Sequence, residues 1–295
     1  MAFPSYTKTF HTTSYPAIDP ANAALSTAGK VVFITGGGSG IGARIAHAFA
    51  KAGSTQISIY GRTRSTLLAT KASIEALYPL TQVQTHTGSL TDSTALNLAL
   101  SLTTQTFSRK ISILISNAAH LPIPTHLSTS VPADWFAGME TNVLGNLYLL
   151  QAFLSHSVPV SDSDSQLEKP IVVHVSTGLA HVSADKMSAY SVSKLAATRL
   201  WELFAVENPG VRVVNVHPGV VETEMNRRAM EGGLVLPFDD VELSASFIVW
   251  SVSREAEFLN GKFLWANWDV DELKAKREVI ESTSELTIGL IGWGV

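Results

Sequence analysis

The chain has 295 residues, 45% hydrophobic and 16% charged, which is enough apolar material for a well-covered core and too little charge for disorder. Its formal net charge of −4 is accompanied by no basic run, which argues against nucleic acid or an acidic membrane surface as a partner. Cysteine is absent, so disulfides, thiolate catalysis and thiol metal sites are excluded together, and a cytoplasmic compartment is the simple reading.

Residues 1–28 read as an N-terminal arm, Ser/Thr-rich and without an apolar core of signal-peptide length. The run Val31 to Ile34 then reads as a buried parallel strand, the glycines from Gly36 to Gly42 as a tight turn, and Ile41 to Lys51 as a helix. A helix N-terminus placed in this way offers unpaired N–H groups and positive dipole charge to a pyrophosphate. Glycine suits the turn because a Cβ at Gly36 or Gly42 would obstruct the approach of backbone to phosphate or of helix to strand. Further strands suggest themselves at 56–60, 82–86, 111–115, 170–176, 211–216 and 261–265, with helical patterns between them. This alternation predicts an α/β fold: a doubly wound, Rossmann-type parallel sheet of seven strands with helices on both faces.

No Gly/Ser- or Pro-rich linker interrupts the alternation, so residues 29–270 form a single domain, followed by a tail over 271–295. The polar stretch from Ser161 to Lys169 reads as a surface loop. Trp135, Phe136, Met139, Val143, Leu147 and Leu150 recur at helical spacing and predict one packed face. The segment 222–238, which contains Gly232, Gly233 and Pro237, reads as a mobile flap over the C-terminal strand ends, where ligands of such sheets bind. No apolar stretch approaches the roughly 20 residues needed to span a bilayer.

Tyr190 and Lys194 stand four residues apart on a helical pattern and so share one face. Hydride addition to a ketone generates a basic alkoxide, which a positioned proton donor must neutralise as charge develops. Tyrosine can donate; its ordinary pKa is ~10, and a neighbouring ammonium is expected to lower it by roughly one to three units.

Six segments in order resemble the short-chain dehydrogenase/reductase family: Thr35-Gly36-x-x-x-Gly40-x-Gly42, Ser116-Asn117-Ala118-Ala119, Asn142, Val175-Ser176-Thr177-Gly178, Tyr190-x-x-x-Lys194 and Pro218-Gly219-Val220-Val221-Glu222-Thr223. The resemblance runs from about Lys30 to Ala266, and the termini look like those of fungal members. It implies Tyr190 as the acid, Lys194 as its partner and holder of the nicotinamide ribose, and Asn142 as the residue holding a water that links Lys194 to solvent. The family's substrate-binding serine lies thirteen residues before the tyrosine, which points to Thr177 here, with Ser176 as the alternative. The cofactor would lie along Gly36, Gly38, Ser39, Gly40, Ile41, Gly42, Arg62, Ser89, Asn117, Pro218, Gly219, Val221 and Thr223, together with Tyr190 and Lys194. Ser89, Ser116 and Ala119 depart from the aspartate, asparagine and glycine usual in the family.

Gly61 stands where an NAD-preferring site carries a carboxylate, and Arg62 follows it, so NADP(H) is the expected cofactor. The activity implied is hydride transfer between the nicotinamide and a ketone or secondary alcohol of a small, largely apolar molecule, with a secondary metabolite favoured by the fungal look. A non-redox elimination or epimerisation on the same groups, and a cofactor-binding sensor without turnover, remain open. His120 lies near the strand ends, while His181 and His217 lack partners at metal spacing, so no metal is expected. A homodimer or homotetramer is expected from the resemblance alone.

Overall fold

Seven segments of the described chain become strands, all but the polar edge strand β3 carrying apolar runs: β1 (Val31–Thr35), β2 (Gln56–Gly61), β3 (Gln82–Thr87), β4 (Ile113–Ser116), β5 (Ile171–Val175), β6 (Arg212–His217) and β7 (Phe263–Trp265). The computed structural model describes residues 5–157 and 169–291, so the polar stretch expected as a surface loop lies, apart from Lys169, outside the described residues. The strands form one sheet in the order β3-β2-β1-β4-β5-β6-β7, with every pair parallel. The expected doubly wound architecture is the one observed.

Parallel strands joined by crossovers need cover on both faces, which is why their sequences read as continuous apolar runs. In β1 every residue is buried. Val32 and Ile34 join the layer of α1 (Gly40–Lys51), α2 (Arg64–Leu77) and, from later in the chain, Val241–Ser251, through Ile45, Phe49, Leu67 and Phe247. Val31 and Phe33 point the other way, into the layer of α3 (Ser93–Phe107), Leu100 and Phe153 being among their partners. That second layer also holds two later helices, which bracket the site described below.

One expectation about the middle of the chain is corrected. The helical run from Trp135 to Leu150 is three pieces: α4 (Pro132–Met139), a π-turn over Glu140–Leu144, and α5 (Gly145–His156). The wider turn rotates the faces of the two helices relative to each other. Phe136 is therefore 55% exposed, while Asn142, Gly145, Asn146 and Leu149 are buried. Of the six side chains expected on one packed face, Leu150 is buried, Trp135, Met139, Val143 and Leu147 are half-buried, and Phe136 alone is exposed.

The longest helix, α6 (Ser188–Glu207), follows β5, and α7 (Glu224–Glu231) occupies the first half of the expected flap. The ends of that excursion are fastened together, since Val221 and Asp239 form a parallel bridge and Val220 N donates to Asp239 Oδ2 at 2.8 Å. The helix contributing Phe247 is α8 (Val241–Ser251), and α9 (Val270–Ala275) and α10 (Arg277–Ser282) complete the described C-terminal part. The N-terminal arm lies against this region: Phe10 bridges to Trp268, Asn267 Nδ2 donates to His11 O, and His11 Nε2 lies 2.9 Å from Asp269 Oδ2. Ile18 is fully buried, which ties the arm into the main core.

Candidate active site

β1 ends beside the C-terminal ends of β2 and β4, the point at which the chain's crossovers leave in opposite directions and a crevice opens. Gly36 takes up φ 72°, and a Cβ there would lie 2.6 Å from Asn117 Nδ2. A Cβ on Gly42 would collide with the Gly36 carbonyl oxygen. The turn is laced to the end of β4: Thr35 Oγ1 accepts from Asn117 N at 3.0 Å and from Ala118 N at 3.1 Å, and Asn117 Nδ2 donates to Thr35 O at 3.0 Å.

A cavity of about 550 Å³ lies over this turn. Gly36, Gly38, Ser39, Gly40, Ile41, Gly42, Arg62, Ser89, Asn117, Pro218 and Thr223 line it, as do Ser176, Tyr190 and Lys194. A glycine cradle that a Cβ would fill, at the N-terminus of α1, fits a dinucleotide pyrophosphate. Gly219 and Val221 line instead a smaller adjoining cavity of about 130 Å³, together with Thr177 and apolar side chains that include Met187, Met225, Leu234 and Trp265. Sequence reasoning passed over Thr66, Thr141, Arg227 and Arg228, which also line the larger cavity. Their contribution depends on how the start of α2, the π-turn before α5 and the α7 excursion come together over the turn, which no local motif encodes.

Tyr190 is partly buried and lines both cavities. Burial pushes its phenol well above the usual tyrosine range, because the phenolate would be desolvated. Burial also pushes the Lys194 ammonium down to about 7. The expected lowering of Tyr190 by a neighbouring ammonium is therefore not what the structure gives. Lys194 Nζ is instead turned to the sheet, donating to Val175 O at 2.6 Å with His174 Nε2 at 3.4 Å.

Asn142 lines neither cavity. Its side chain accepts from His120 N at 2.8 Å and donates to His120 O and to Ser193 Oγ, pinning the segment after β4 to α6. The two hydroxyls at the end of β5 also separate. Ser176 Oγ lies 2.7 Å from Thr198 Oγ1, and the Thr198 hydroxyl donates to Lys194 O, so the Ser176 hydrogen is committed to Thr198. Thr177 Oγ1 accepts from Leu179 N, and its own hydrogen has no acceptor among the described residues.

The family model for short chain dehydrogenases matches residues 30–232. The chain belongs to the short-chain dehydrogenase/reductase family. A short chain dehydrogenase/reductase of Claviceps purpurea is 36% identical over 98% of this chain and 96% of its own length. The short chain dehydrogenase/reductase AacuD of Aspergillus aculeatus is 33% identical over 98% of each chain. Among solved structures, a short chain dehydrogenase from Burkholderia cenocepacia in complex with NADP superposes with a TM-score of 0.70 at 25% identity, covering 83% of this chain and 98% of that one. The chain is thus an oxidoreductase of this family. Among the described residues there is no cluster of three metal-binding side chains, and no helix is long and apolar enough to cross a membrane.

The buried imidazoles of this dehydrogenase/reductase make its stability pH-dependent. Burial holds His174 well below the usual histidine range and pushes His217 down to about 3. The unfolded chain takes up these protons near pH ~6.5 while the folded chain does not. Stability is therefore fully present above about pH 6.5 and is lost as pH falls toward about 3, by up to ~1.4 kcal/mol per pH unit for each histidine. Urea midpoints measured between about pH 7 and 4 are expected to fall steadily. A flat profile would show that these rings are not held neutral.

Proposed function

We propose that this oxidoreductase uses NADP(H) to interconvert a ketone and a secondary alcohol on a small, largely apolar substrate. The observation that carries this reading is the position of Tyr190, which lines both the polar cavity over the glycine turn and the adjoining apolar one. NADP(H) in the larger cavity would supply or take up the hydride. The glycine turn and the α1 N-terminus would hold its pyrophosphate, Arg62 its 2′-phosphate, and Lys194 its ribose. In the smaller cavity, Met187, Met225, Leu234 and Trp265 would exclude water around the carbonyl, Thr177 would donate to the carbonyl oxygen, and Tyr190 would deliver the proton as charge develops there. The fungal relatives support a secondary metabolite as that substrate. A cytoplasmic location agrees with the absence of cysteine. Exposed apolar side chains on α4 and α6, including Phe136, Val192, Leu203 and Val206, support a homodimer or homotetramer.

Incubation with NADPH and a panel of carbonyl compounds, followed by loss of nicotinamide absorbance, tests the reading. Oxidation of NADPH that depends on an apolar ketone is expected. Substrate conversion with unchanged cofactor would replace this reading with a non-redox one, and binding without turnover would replace it with a sensor. The two hydroxyls are separated by substitution. Thr177→Val removes the unengaged donor, along with the acceptor for Leu179 N, and is expected to slow turnover on the order of 10²-fold, whereas Ser176→Ala breaks a contact to Thr198 and should affect stability more than rate. Slow turnover in the Ser176 variant alone would reverse the assignment.

A further inference from the structure

His174, the penultimate residue of β5, is 1% exposed, and its ring lies between the Lys194 side chain and a polar seam that crosses to α5. One indole fixes every proton along that seam. Trp201 Nε1 can only donate, and it lies 3.0 Å from Asn146 Oδ1, so that atom is the amide oxygen. Asn146 Nδ2 accordingly donates to Asn142 O at 2.6 Å. Ser116 Oγ, 2.5 Å from the same Asn146 oxygen, must donate its hydrogen there, which leaves Ser116 as an acceptor toward the ring. His174 Nδ1, 3.4 Å from Ser116 Oγ, therefore carries the ring proton, and Nε2 is bare. The bare nitrogen faces Lys194 Nζ at 3.4 Å.

We propose that His174 is a positioning residue for Lys194, a neutral imidazole locked as the Nδ1–H tautomer whose Nε2 accepts from the lysine. With Val175 O it takes up two of the three ammonium hydrogens and leaves the third directed toward the cavity that Lys194 and Tyr190 line. Ser116, a departure from the family's usual asparagine, supplies the acceptor that sets the tautomer. Lys194 is the charged group that faces the ring. Ser116 from β4, Asn146 from α5, Trp201 from α6 and Asn215, the register partner on β6, are all neutral.

The tautomer is tested in the unliganded wild-type protein by nuclear magnetic resonance of ¹⁵N-labelled histidine, with His174→Gln identifying the signal. A protonated Nδ1 and bare Nε2, unchanged between about pH 8 and 5, are expected. The reverse tautomer, or conversion to imidazolium in that range, overturns the proposal. The positioning role rests on the function proposed above and has its own test. His174→Phe keeps a ring of similar size without the acceptor and should weaken NADPH binding, read by fluorescence quenching, by roughly tenfold. His174→Gln, which carries an acceptor oxygen at comparable reach, should recover most of that loss. Equal impairment of the two variants, or no change in either, overturns the role. If the wild type binds no NADPH, the functional reading falls while the resonance measurement still decides the state of His174.

Discussion

Tyr190→Phe is expected to keep the fold and the affinity for NADPH while lowering turnover on the order of 10²- to 10⁴-fold, the usual worth of a positioned general acid. The substitution removes one oxygen and leaves the ring, so the packing of Tyr190 against Leu121 and Met187 is retained. That oxygen makes no hydrogen bond among the described residues, so its loss leaves no buried partner stranded. Burial raises the phenol's pKa, which keeps it protonated at neutral pH and so ready to donate toward a developing alkoxide. In the direction of alcohol oxidation the same shift works against it, since a base is then needed. Reduction should accordingly be the direction that persists to low pH, until acid destabilises the fold. Steady-state rates in both directions and thermal melts of the two proteins check this. A phenylalanine variant within a few fold of wild type would remove Tyr190 from the proton-transfer role.

Arg62→Ala should abolish most of a preference for NADPH over NADH that is expected to be about ten- to one-hundred-fold. A hydrogen bond to a charged group is worth roughly 1.5–3 kcal/mol, and one arginine on the 2′-phosphate accounts for that range. Arg62 lines the larger cavity beside Gly61, and its charge adds to the burial that lowers the pKa of His120, which lines the same cavity. Because Gly61 offers no carboxylate to a free 2′-hydroxyl, NADH affinity should change little in Arg62→Ala. Gly61→Asp is the complementary variant. A Cβ at that position meets only Leu67 Cδ2 at 3.5 Å and Leu67 Cγ at 4.0 Å, so the backbone there has room for a Cβ. The added carboxylate should raise NADH affinity and repel the phosphate. Dissociation constants for both cofactors across the three proteins decide the matter, and a wild type that prefers NADH would sink the NADP assignment.

The sequence by itself determined which segments become strands and that they build a doubly wound parallel sheet. A parallel strand covered on both sides leaves a continuous apolar run such as Val31 to Ile34, and a glycine turn after it leaves its own signature. Its strand boundaries shift by a residue or two for local reasons: Ile111 makes only an isolated bridge to Ser157, and Gly261 is in a φ 77° turn before β7. The pairing of Tyr190 with Lys194 on one helical face was legible for the same reason, since helical periodicity is a local property.

Tertiary structure alone decided what each polar side chain touches. Asn142 follows a helical pattern, yet a π-turn rotates it onto His120 and Ser193. Neighbouring hydroxyls at the end of β5 face different partners, Ser176 toward Thr198 and Thr177 toward Leu179 N and the smaller cavity. His174 is a polar residue in an otherwise apolar strand. It becomes the support beneath Lys194 only when β4, α5 and α6 bring Ser116, Asn146 and Trp201 together around it. Hydrogen-bond partners so distant in sequence are chosen by packing, and no local pattern records them.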